Sequence, residues 1–321
     1  MTAFKGLGTY GNAVGVVTPL DHKLADASLI TKASGNLIRT GLFWGGTATI
    51  VTGTAGMAYS VAGYTCATTR GVSSGAVIGG NDGALSVSTS AAPGSNSRYD
   101  VVYHWHREFS LDGTDSNPVI GVIQGTAAAS PTVPSLAAFP GAIALATILV
   151  PAGVTATNSG TTITQTAPFT ATAGAAIMFR NLTEANAATV IDGTRGMLLD
   201  TGVNINRVSG AWVQEVTTGT FVWVAYYSTV TANKVTRDNR TGLVNITARA
   251  FPPAAVTDGS SIATIPAGFR PATDMELPVS ATVGGSAVTA TLIVTASTGD
   301  VKVYGAGSNK TLSIAATYAG A

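Results

Sequence analysis

Arg98-Tyr-Asp-Val-Val-Tyr-His-Trp-His-Arg-Glu-Phe109 is the stretch whose reading decides the fold. Val101, Tyr103, Trp105, Arg107 and Phe109 fall on one side of a two-residue period, with Val102, His104, His106 and Glu108 on the other. Successive side chains of a strand point to opposite faces, so residues 98–109 are expected to form one strand. A polar turn follows at 111–118, and further β-rich apolar runs occupy 119–124 and 142–150. The segment between those runs is broken by Pro131, Pro134 and Pro140, where no ladder can continue. Two strands, a proline-laced crossover and a third strand make one compact β unit.

The rest of the composition agrees with an all-β reading. The chain has 321 residues, enough for two or three modules that each bury a core. Only 10% of residues are charged, against roughly 25% in ordinary soluble domains. Glycine reaches 38 residues, and Thr, Ala and Val leave few strong helix formers. Residues 116–179 contain no Asp, Glu, Lys or Arg, so little charge would keep neighbouring copies apart, and burial between chains is expected there. A membrane span does not account for the stretch: its longest apolar run, 142–150, is far shorter than the roughly 20 residues a spanning helix needs. The first residues, Met-Thr-Ala-Phe-Lys-Gly, have no apolar core of a secretory signal, so synthesis in a cytoplasm is expected. Cys66 is the only cysteine, which rules out an intrachain disulfide and a cysteine-based zinc site. The net charge of +1 gives no electrostatic case for nucleic acid or an anionic membrane.

Three modules are expected, at 1–154, 155–240 and 241–321. The first holds one helix candidate, 21–33 with Asp21 as N-cap, and then short β runs at 37–44, 48–51, 58–67, 76–78 and 85–88. Asn81-Asp82-Gly83 reads as a hairpin turn between two of them. Residues 155–176, rich in Thr, Ala, Gly and Asn, read as a linker or as a strand pair around 161–166. Trp212, Phe221, Trp223 and Tyr227 concentrate large apolar area in the connecting module. The polar run 234–240 marks the second boundary, and strands are expected beyond it at 244–250, 262–265, 275–283, 287–295, 300–304 and 312–318.

Two constellations carry a resemblance. Arg98-Tyr-Asp-Val-Val, then Gly125-Thr-Ala-Ala-Ala-Ser-Pro131, then an apolar strand closing on Val150-Pro-Ala-Gly-Val154, is similar to the attachment region of tail fibre and baseplate proteins of long-tailed phages. Ile262-Ala-Thr-Ile-Pro-Ala-Gly-Phe-Arg-Pro271, followed by Ser297-Thr-Gly-Asp-Val301, resembles the terminal head domains of such fibres over nearly all of the last module. The resemblance implies a homotrimeric fibre with a C-terminal β-sandwich head, fixed to other tail or baseplate proteins by its N-terminal module. It further implies a virion location after assembly in the host cytoplasm, and a host-surface glycan as the partner of the head. Physically, Pro266 and Gly268 force a bend, Phe269 can seal the core beneath it, and the Arg270 fork can clamp a neighbouring carbonyl or carboxylate. Phe269, Arg270, Asp274 and Tyr304 are the receptor or trimer contact candidates.

Other matches have bland readings. Gly6-Leu-Gly-Thr-Tyr-Gly11 fits a dinucleotide fingerprint but has only five residues before it, too few for the required strand. Gly71-Val-Ser-Ser-Gly75 fits a nucleophile elbow without the strand and helix that would frame one, and reads as a glycine-flanked turn. Asn181, Asn239, Asn245 and Asn309 begin glycosylation sequons in form only. Both imidazoles of His104-Trp105-His106 point one way on a strand, and copies meeting on a three-fold axis would gather them around one metal, which resembles iron sites in some phage fibre tips. A hydrogen-bonded polar face is the competing and preferred reading, so neither metal nor cofactor is expected. Asp258, Asp274, Glu276 and Asp300 could supply a glycosidase pair, but no β-helical rung repeat is present, and no enzymatic activity is expected. The alternative to a receptor-binding fibre is a purely structural baseplate or capsid-decoration piece. A bacterial lectin would require a signal peptide.

Overall fold

The computed structural model describes residues 17–113, 115–224, 229–251, 257–283, 286–305 and 311–321. The glycine pattern at 6–11, Tyr227 and Asn309 lie outside them. The protein is all-β, with short helices, and divides into two compact units, Met1–Trp212 and Val213–Ala321.

The first unit is built from several small sheets. Its central sheet has the antiparallel order Pro118–Gln124, Arg98–His106, Ile143–Val150, Thr162–Gln165. This is the arrangement expected of two strands, a crossover and a third strand. The expected strand at 98–109 stops at His106, because Phe109–Asp112 coils into one helical turn closed by Gly113 in the left-handed region. Both faces of Arg98–His106 are covered. Phe139 of the crossover packs on Tyr103 and Trp105 with ring centroids 4.7 and 5.1 Å apart, and Trp105 Nε1 donates to Pro140 O at 3.1 Å. The other face lies against the strands that carry Tyr59 and Tyr64. Those strands belong to two further sheets, Val51–Gly53/Ala58–Val61/Leu85–Ser88 and Phe169–Thr170/Gly41–Phe43/Tyr64–Thr68/Val77–Asn81. A fourth sheet pairs Ala176–Phe179 and Arg195–Leu198 in parallel, with helix Leu182–Ala187 in the crossover, and continues through Asn204–Val208 to Ala211–Gln214.

Several local expectations are corrected. The helix is Pro19–Ser28, capped by Thr18 rather than Asp21. The Asp21 amide donates to the Thr18 hydroxyl at 3.2 Å, and the Asp21 carboxylate accepts the Thr18 amide at 2.8 Å, so Asp21 is the third residue of a capping box. Asn81-Asp82-Gly83 is not a hairpin: Val77–Asn81 pairs with Tyr64–Thr68, whereas Leu85–Ser88 pairs with Ala58–Val61 in another sheet. The Asn81 side chain is occupied instead with the carbonyls of Val61, Ala62 and Gly83. Gly71–Gly75 forms one 3-10 turn, and a Cβ on Gly75 (φ 67°) would stand 2.4 Å from the Lys23 carbonyl carbon. The charge-free stretch is accounted for in large part within the chain, since Ile143, Leu145, Ile148, Val150, Phe169, Ile177 and Phe179 are all buried against its own strands.

The second unit is one nine-stranded sheet that closes almost completely on itself. Its order is Val216–Thr220, Thr229–Asp238, Leu243–Phe251, Thr311–Ala319, Met275–Val283, Ser286–Val294, Asp300–Tyr304, Ser260–Thr264, Val222–Trp223. The first and last strands are consecutive in sequence, so the single stretch 216–223 borders Thr229–Asp238 on one side and Ser260–Thr264 on the other. Strict alternation along Leu243–Phe251 turns Val244, Ile246, Ala248 and Ala250 inward. They meet Phe221, Ile262, Leu292, Val303, Leu312 and Ile314 in an apolar core. The boundaries expected at 154/155 and 240/241 fall in connections between strands that pair with each other in one sheet. Thr162–Gln165 pairs with Ile143–Val150, and the polar run after Asp238 is the turn of a long hairpin whose Asp238 carboxylate accepts the amides of Arg240 and Thr241.

Candidate functional site

Three of the four motif residues in the second unit act on their own module. Arg270 donates from Nη1 to Ser297 O at 2.6 Å and from Nε to Ile265 O at 3.3 Å, tying the Ile262–Pro271 stretch to the turn before Asp300. Gly299 in that turn has φ 74°, and its missing Cβ would overlap Ile265 O at 2.2 Å, so only glycine admits the clamp. Phe269 is buried over Gly219, and its carbonyl accepts Tyr318 Oη at 2.6 Å. Asp274 Oδ1 accepts the Ala296 amide at 2.7 Å. Tyr304 alone of the four presents its ring to solvent, at 38% exposure.

The two histidines are likewise turned into the chain. His104 is fully buried, and its Nδ1 lies 2.9 Å from Tyr64 Oη. Its Nε2, and Nδ1 of His106, are buried without a hydrogen-bond partner among the described residues. Burial, and secondarily the neighbouring His106, push the His104 pKa down to about 4, so the ring is neutral at neutral pH. A ring in this position faces the Tyr64–Thr68 strand of its own chain, not an axis shared with other copies.

Arg98 and Asp100 form the central brace of the first unit. Arg98 Nε lies 2.7 Å from Asp100 Oδ1, Tyr59 Oη and Thr89 Oγ1 donate to Asp100 Oδ2 at 2.8 and 2.6 Å, and Arg98 reaches the carbonyls of Ser90 and Ala91. A second cluster ties the helix to the strand end: Lys23 pairs with Glu108 at 2.5 Å, and Arg70 forks onto Asp112 at 2.9 and 2.5 Å. Each charged group here has a counter-charge, which makes these clusters fastenings rather than reactive centres.

A cleft of about 470 Å³ opens on the outer face of the second unit. Its cause is local. Thr311–Ala319 and Met275–Val283 pair only at Ser280↔Ser313, Ala281↔Leu312 and Thr282↔Thr311, and meet again at the single bridge Pro271↔Gly320. Pro278 has no N–H to donate, so the ladder opens beside it. Small side chains, Ser313 and Ala315, line the gap. The register sets Arg249, Ser313, Ser280 and Thr289 side by side across four strands, all on the outer face. Lys234 and Thr247 are paired on the adjoining row, and Arg249 stacks on Phe251 at 5.6 Å. Tyr304 neighbours Thr291, which itself faces Pro278 across the ladder. Sequence reasoning passed over Arg249, Ser280 and Ser313. The signals were the alternation of Leu243–Phe251, which turns Arg249 outward, and a proline inside a strand run. No protein-family model matches this chain, and no curated protein matches it either.

Proposed function

We propose that the chain is a structural virion protein of a long-tailed phage, fixed to the tail or baseplate through its first unit and meeting the host surface through its second. The observation that carries the reading is the pairing of Ile262–Pro271 with Ser297–Val301 through Arg270: the two pieces whose order resembles fibre heads are one clamped structure, with an open cleft elsewhere on the same unit. The uncharged edge strand Pro118–Gln124 of the first unit is suited to meet another copy or a tail protein, in keeping with a homotrimer. Host-surface glycan is the partner assigned to the second unit, and neither nucleic acid, a membrane, a cofactor nor catalysis has a part. The engagement of Phe269, Arg270 and Asp274 within their own module favours a second reading, in which this module only packs in a baseplate ring or on a capsid. Gold-labelled antibody against the full-length protein distinguishes these readings on particles whose genome encodes it. Tail-tip labelling, with adsorption blocked by the free protein, is expected for a receptor-binding fibre. Labelling without any block on adsorption identifies the packing role, and absence of label from particles contradicts both.

A further inference from the structure

The geometry points to the cleft beside Pro278 as a binding site for a short acidic oligosaccharide, an assignment that rests on the host-facing reading of the second unit. Shape comes first. The opened ladder makes a trough rather than a closed pocket, and a trough takes a chain from the side without demanding a free end. Chemistry follows from the register. Ser313, Ser280 and Thr289 offer one hydroxyl per strand, about 5 Å apart, and each hydroxyl both donates and accepts, as sugar hydroxyls do.

Charge sets the class of sugar. Arg249 and Lys234 stand at one end of the trough, and neither takes part in any of the ion pairs among the described residues. No Asp or Glu lines the trough, so a carboxylate on the ligand meets cations without a competitor. The Arg249 guanidinium, over the Phe251 ring at 5.6 Å, offers a fork that can make two-point contact with a carboxylate. The Tyr304 ring, beyond Thr291, offers an apolar platform for the face of a sugar ring. A nucleic-acid backbone fits less well, because it needs a continued basic track and stacked aromatics, and the whole chain has a net charge of only +1. A single shallow trough binds weakly, and several copies on one particle would multiply the effect.

The test is calorimetric titration of the full-length protein with a short oligogalacturonate and with the same chain fully methyl-esterified. The acid form is expected to bind, and esterification or Arg249→Ala each to weaken binding by about tenfold, the loss of one charge-assisted hydrogen bond. Ser313→Trp, which fills the trough, is expected to abolish binding, with circular dichroism confirming that the sheet is retained; Arg249→Ala, on an exposed side chain, serves if it is not. Equal affinity for acid and ester, undiminished binding by either variant, or no binding of the acid overturns the site. Adhesion of labelled protein to host cells is scored separately. Adhesion that Ser313→Trp leaves unchanged overturns the site and leaves the host-facing reading standing; titration as expected without adhesion supports the site and overturns that reading.

Discussion

The two units solve the same problem, a β core without disulfides, in opposite ways. In the second unit long strands, nine residues in Leu243–Phe251 and nine in Thr311–Ala319, run into a sheet whose ends nearly meet, so the backbone satisfies itself. Its interior is correspondingly apolar. The first unit uses strands as short as Leu37–Ile38 and Phe169–Thr170, split among several sheets. Each sheet end leaves N–H and C=O groups that side chains must meet. Gln165 caps the amides of Ile50 and Val51 and the Val51 carbonyl, and Arg39 reaches the Phe169 carbonyl. Every buried polar or charged residue among those described, Arg98, Asp100 and His104 included, lies in this first unit. Where the ladder is broken up, buried polar side chains take over its work.

That contrast can be broken by removing a brace. Arg98→Met leaves the Asp100 carboxylate buried beside an apolar chain, and should destabilise the first unit by about 3–5 kcal/mol. The second unit should be untouched, and chemical denaturation followed by hydrogen exchange of peptides from each unit reads both. Acidification sharpens the comparison. His104 has a folded-state pKa of about 4, below the ordinary 6.5 of an exposed imidazole, so the unfolded chain binds the extra proton first. The stability from keeping the ring neutral is fully present above about pH 6.5 and is lost as pH falls towards 4, amounting to about 3 kcal/mol. His104→Gln should flatten that slope in denaturation midpoints measured across the window.

Smaller effects follow. Gln165→Leu strands two amides and a carbonyl, and should cost the first unit about 2 kcal/mol in urea denaturation. In the second unit, Arg270→Lys removes the fork that reaches Ile265 and Ser297, yet should cost only about 1 kcal/mol, because the closed sheet carries the module. A larger loss from Arg270→Lys than from Gln165→Leu would reverse the comparison.

Much of the architecture was legible because alternation and proline are local signals. Three strands of the central sheet follow from the apolar runs on either side of Pro131, Pro134 and Pro140, whereas their order in the sheet comes only from the fold. The strands of the last module read equally well, since half-buried faces alternate strictly there. What failed depends on partners remote in sequence. Asn81-Asp82-Gly83 has a hairpin's composition, but Tyr64–Thr68 and Ala58–Val61 claim its flanking strands for different sheets. His104 and His106 read as a hydrogen-bonded polar face, but that the strand holding Tyr64 supplies the partner of His104 is set by the fold. The cleft was least legible of all: it arises where two strands some thirty residues apart stop pairing, and only Pro278 hints at the gap.

The most direct test of the account is hydrogen exchange of the full-length protein at pH 7 and at pH 4.5, corrected for the intrinsic pH dependence of exchange. Peptides from the Arg98–His106 and Tyr64–Thr68 strands should lose protection at the lower pH, while those from Leu243–Phe251 and Thr311–Ala319 keep theirs. Loss of protection in both units together, or first in the second unit, would contradict the claim that buried polar braces hold one and a closed ladder the other.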